Sequence, residues 1–165
     1  MSKEFVYTIE LDHGVEHVHA ALISEEYWKG RVGDSTTGSV EVMVPAGPGT
    51  ARITLTDQVD AAVLPAVVRG ILRGPLVMTR TDEWGVLEGN TASGALGGGS
   101  STLPVTIAAR SELRPRESSG SVIELRGEAR VDVPIVGGQV EGMVLQMMQA
   151  IVESDRATLN TWLSR

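Results

Sequence analysis

The chain has 165 residues, 21 acidic against 14 basic side chains, a formal net charge of −7 and no cysteine. Lack of cysteine excludes disulfides, thiolate nucleophiles and Cys-type zinc sites, and an acidic long-range field opposes phosphate backbones, so nucleic acid is not an expected partner. This length fits one core, so a single domain over 1–165 is expected; with aromatic residues at 4%, that core falls to Val, Leu, Ile, Ala and Met.

Residues 3–11 alternate, Phe5, Tyr7, Ile9 and Leu11 against Thr8 and Glu10, which predicts a half-buried strand. Asp12 is the expected N-cap of a helical stretch over 14–32, with Val15, Val18, Ala21 and Leu22 on one stripe. Ser24, followed by Glu25 and Glu26, splits that stretch into two short helices, and the polar run between Gly33 and Gly38 ends it.

From residue 38 the period becomes two, with strands expected at 38–45 and 50–59 around the Pro45–Gly49 turn. Residues 61–73 are apolar without alternation, and Pro65 and Gly70 limit them to a short helical turn or an irregular connection. Strands follow at 75–84, 86–96, 103–114 and 121–133, with Gly97–Ser101 expected as a flexible linker. In the last strand Glu124, Arg126, Glu128, Arg130 and Asp132 share one face, and Ile123, Leu125, Ala129, Val131 and Val133 the other. Such a sheet has one wet face and one core face.

Pro134 stops that strand and Gly137–Gly138 turn the chain into a helix over about 138–164, roughly 40 Å long. Its apolar stripe runs from Val140 through Met143, Met147, Met148, Ile151 and Val152 to Leu163. The stretch 140–152 is interrupted by Glu141, Gln146 and Gln149, so no integral membrane span is expected. The opening MSKEFVYTIEL has no apolar signal region, and the cytoplasm is the expected compartment.

The order β-α-α followed by six strands and a long helix resembles the START-like helix-grip superfamily, also called SRPBCC, which includes the birch-pollen allergen. More narrowly it resembles an uncharacterised actinobacterial branch, on the segments Val133–Glu141, Thr81-Asp-Glu-Trp84 and Thr161-Trp162-Leu163. The resemblance implies an α+β fold: a curved antiparallel sheet of about seven strands wrapped around the C-terminal helix, two short helices after strand 1, and a pocket between sheet and helix. Members use that pocket for lipids, sterols, polyketides or cyclic aromatics. The superfamily's catalytic residues differ between branches, so none carries over to this chain.

Candidate ligand-binding residues are Met143, Met147, Met148 and Ile151 on the last helix, together with Arg80 and Trp84. Unbranched thioethers suit an adaptable apolar wall, though the favoured reading of these methionines is ordinary core filling. Arg80 and Asp82 alternate in phase with Trp84. If that face is inward, the pair enters the cavity; the favoured reading leaves both solvated or at the rim. Gly138 and Gly142 read as a turn and a tolerated helical glycine, or as a close approach to the sheet. His13 and His17 have a spacing that suits a metal, but without a third ligand they read, with His19, as surface residues. No phosphate loop or GxSxG elbow is present, and neither metal nor cofactor is expected.

The leading functional expectation is a binder of a small apolar, lipid- or polyketide-like molecule in an internal cavity. A cyclase/dehydrase- or hydrolase-like enzyme using the same pocket is the alternative. A third reading is an interaction module that pairs with another protein or forms a homo-oligomer.

Overall fold

The computed structural model describes residues 2–33, 38–60, 62, 64–72 and 74–165. The polar run 34–37 and positions 61, 63 and 73, on which parts of the sequence reading fall, lie outside them. Strand β1 (Ser2–Leu11) keeps the expected alternation, with Phe5, Ile9 and Leu11 buried. Helix α1 (Val15–Leu22) starts from Gly14, which makes no side-chain cap. Asp12 is therefore not the cap; its carboxylate sits 3.4 Å from Arg116 instead. Ser24 does open α2 (Glu25–Val32), its hydroxyl accepting from the Tyr27 N–H at 3.3 Å.

The hairpin β2 (Ser39–Met43) and β3 (Ala51–Val59) is followed by the short α3 (Ala66–Ile71) and by β4 (Leu76–Trp84). Strand β5 spans Ala92–Ser100, so two expectations change. Residues 86–91 form a turn around Gly89, at φ 66°, with a lone bridge from Glu88 to Thr91. The glycine run 97–99 is not a linker: it pairs with β4 on one side and β6 on the other. Glycine lacks the side chain that would show alternation, yet its backbone satisfies a ladder like any other.

Strands β6 (Val105–Pro115) and β7 (Ser121–Val131) complete one antiparallel sheet in the order β1-β7-β6-β5-β4-β3-β2. The last turn differs from expectation too. Ile135, exposed and at φ 69°, carries it, and Gly137 already lies in α4 (Gly137–Leu163).

Helix α4 packs mainly on β1 and β7. Its stripe of Val140, Val144, Met148, Val152, Leu159 and Leu163 meets the inward rows of the sheet. Burying each such side chain contributes roughly 1.5–3 kcal/mol. The architecture is the expected α+β helix grip: seven antiparallel strands against a long C-terminal helix, with two short helices after β1. No helix among the described residues is long and apolar enough to cross a membrane.

Candidate functional site

Strand β4 decides the polarity of the interior. Leu76 and Trp84 are buried at its two ends, and strand alternation carries Arg80 and Asp82 inward with them. The solvated reading of that pair is thereby overturned: their side chains are 15% and 8% exposed.

Two bidentate contacts hold Arg80. Its Nε and Nη2 donate to the Asp82 carboxylate at 2.6 and 2.8 Å. Its Nη1 and Nη2 donate to Asp155 of α4 at 3.1 and 2.7 Å. Arg31, in the last turn of α2, reaches Asp155 from the other side at 2.8 Å and donates to the Tyr27 hydroxyl at 3.4 Å. The Trp28 ring lies 5.8 Å from the Arg80 guanidinium and 5.7 Å from that of Arg31, and its own N–H is satisfied by the Leu22 carbonyl at 2.7 Å. Four charged groups from α2, β4 and α4 thus form one neutral cluster between helix and sheet.

Burial works against the charge of Arg80, but Asp155 and Asp82 outweigh it and hold the guanidinium well above its ordinary value. Burial also raises the Asp82 carboxyl, with Arg80 pulling it back only in part. The Tyr27 hydroxyl is raised by burial as well.

Beside the cluster is an interior cavity of about 20 Å³, bounded by Arg80, Asp82 and Asp155, by Tyr27, Trp28 and Trp84, and by Ser111 among aliphatic side chains. Ser111 is the polar exception in the inward row Val105, Ile107, Ala109, Ser111, Leu113, and is 6% exposed. Its hydroxyl has no hydrogen-bond partner among the described residues. The larger concavities are open troughs on the exterior. One of about 470 Å³ runs past Pro45, Arg52, Glu83 and Gly94, and shares Trp84 with the cavity.

Of the residues singled out from sequence, Arg80 and Trp84 lie on the cavity wall. Met143 and Met148 are buried in the helix–sheet core, Met147 is half-buried against it and Ile151 is half-buried outside it; none of the four borders the cavity. Gly138 and Gly142 are exposed, and a Cβ at either would meet nothing, so neither draws α4 towards the sheet.

His19 is buried, contrary to its surface reading, and its Nε2 donates to the Gly85 carbonyl at 2.8 Å. The rings of His13 and His17 stand edge to face at 5.2 Å. No group of three metal-ligating side chains occurs among the described residues.

Sequence reasoning missed Asp155, Arg31 and Ser111. Asp155 does leave a trace, an acid set between Val152 and Leu159 on an apolar stripe, and Ser111 leaves one as a lone hydroxyl in an apolar row.

The family described as protein of unknown function (DUF2505) matches residues 6–163, and the chain belongs to it. An uncharacterized protein of Mycobacterium bovis is 26% identical over 171 residues, covering 99% of this chain and 98% of its own. Among solved structures, the Zhui aromatase/cyclase from Streptomyces sp. R1128 aligns with a TM-score of 0.63 at 12% identity, over 100% of this chain and 95% of that one. Norcoclaurine synthase from Thalictrum flavum aligns at 0.58 and 12%, over 100% and 88%. At such identities the likeness establishes the fold, which is the Bet v 1-like, START-type helix grip that the sequence resembles.

Proposed function

We propose that this chain binds a small, largely apolar molecule between the sheet and α4, with the polar end of that molecule against the Arg80 cluster. The observation that carries the reading is the position of the cluster. Replacing a buried ion-pair network by hydrophobic residues is often neutral or stabilising, so stability alone gives little reason to keep one in an apolar core. Perturbed ionisable groups beside a cavity are associated with function.

The cavity as it stands holds about one water-sized group, whereas small-molecule pockets span roughly 300–1,000 Å³. Binding therefore requires α4 to part from the sheet on the β4 side. There the Arg80–Asp155 contact acts as a clasp, while β1 and β7 hold the rest of the helix. The methionines of α4 suit such repacking because thioethers adapt to changed shapes.

The inward ionisable cluster favours a second reading, acid–base catalysis in the same space, and the Zhui aromatase/cyclase and norcoclaurine synthase are enzymes of this fold. It ranks second because both carboxylates are already committed to arginines. Native mass spectrometry of the protein purified from its own host, then mixed with a panel of long-chain and polycyclic probes, tests the binding reading. One molecule of added mass, with a raised melting temperature, is expected. No retained ligand and no saturable binding across the panel would overturn it.

A further inference from the structure

We infer that the ligand's polar end is an uncharged oxygen function, a hydroxyl or a carbonyl, received by the Ser111 hydroxyl beside Arg80. This rests on the binding reading above and specifies its chemistry. Three observations lead to it.

The first is charge balance. Arg31 and Arg80 are matched by Asp82 and Asp155, and the remaining residues around the cavity, Tyr27 and Ser111 apart, are apolar. A carboxylate or an ammonium would enter this closed set as an unmatched charge, in a place where ions are already poorly solvated.

The second is the unspent hydrogen-bonding capacity. Ser111 is buried, borders the cavity and has no partner among the described residues. A serine hydroxyl both donates and accepts, so it serves an alcohol or a carbonyl equally well. A guanidinium has five N–H groups; Arg80 commits both N–H of Nη2, the N–H of Nε and one of Nη1 to carboxylates. One N–H of Nη1 is left as a donor for an incoming oxygen while the clasp is closed, and parting the clasp frees the two donated to Asp155; the pairs Arg80–Asp82 and Arg31–Asp155 keep the charges matched either way.

The third is size. A space of about 20 Å³ admits one oxygen-sized group, not the branched head of a carboxylate. The oxygen fits the interior as it stands; only the apolar body requires the helix to part.

A matched series tests the inference: 1-decanol, decanoate, decylammonium and decane at neutral pH, below micelle formation, titrated against wild type, Ser111→Ala and Ser111→Thr with tryptophan fluorescence as readout. Decanol should bind at least about tenfold more tightly than either ion. Ser111→Ala should weaken decanol about five- to tenfold while leaving decane unchanged, and Ser111→Thr should restore most of the loss. Unchanged melting of Ser111→Ala separates lost recognition from lost fold. If decanoate or decylammonium binds as tightly as decanol, or Ser111→Ala weakens decane and decanol alike, the inference fails and the binding reading stands. If no member of the series binds while a polycyclic probe of the panel does, the inference fails and the binding reading stands; if neither series nor panel binds, both fail.

Discussion

Asp155 holds two arginines at once, one from the sheet and one from α2, so it is the residue on which the cluster turns. Removing one partner of a buried ion pair leaves the other uncompensated, and Asp155→Ala should lower stability by about 3–5 kcal/mol. The double variant Arg80→Met/Asp155→Leu should lose less than the sum of the two single changes, which a denaturant double-mutant cycle measures. Additive losses would show that the two groups are not coupled.

Asp82 makes a different prediction, through pH. Burial raises its folded value above the unfolded one, so the folded chain holds this proton more tightly. Its contribution is then fullest below the unfolded value of about 3.9 and is lost as pH rises through the folded value. Wild-type stability relative to Asp82→Asn should fall as pH rises over that window. A rise would mean that the Arg80 pairing outweighs burial. Alternation alone showed that Arg80, Asp82 and Trp84 share a face. It did not show which way the face pointed, because that depends on how strands 76–84 and 105–115 turn their rows towards a helix far along the chain.

On α4, the period that predicted the helix also predicted its buried stripe, but that stripe took in Ile151 beside Val152. Val152 is 6% exposed, whereas Ile151 is only half-buried and lies outside the core cluster. Val152→Asp should therefore unfold the domain or leave it molten, since an unpaired buried charge costs several kcal/mol against a total of roughly 5–15. Ile151→Asp should retain a cooperative transition at a lower melting temperature. Equal effects would place both residues in the core.

Strand β5 was the element least legible in the sequence, because its glycines conceal the period. The structure gives one of them a reason. A Cβ on Gly94 would run into the Glu83 carbonyl and stand 3.0 Å from the Trp84 ring. Gly94→Ala should cost roughly 1–3 kcal/mol and change the near-ultraviolet signal of the displaced indole. A variant as stable as wild type would show that the β4–β5 backbone can shift to admit the methyl group.

For the molecule as a whole, the order of elements sufficed to indicate the helix grip, since six antiparallel strands, interrupted only by the short α3, between a helix pair and a long helix leave few ways to close a core. The site was less legible because it is assembled from α2, β4, β6 and α4, whose meeting no local pattern records. Helix α4 is fixed firmly to β1 and β7 and clasped to β4 by charge, so the sheet–helix space is expected to open at the clasp. The tryptophans report on that directly. Trp28 and Trp84 border the cavity, while Trp162 packs on Tyr27, 5.6 Å between ring centroids, beside an outer trough. The decisive measurement is a ¹⁵N-indole NMR titration with 1-decanol. Saturable shifts of the Trp28 and Trp84 resonances are expected, with Trp162 moving least; no saturable shift, or shifts confined to Trp162, would overturn binding between α4 and the sheet.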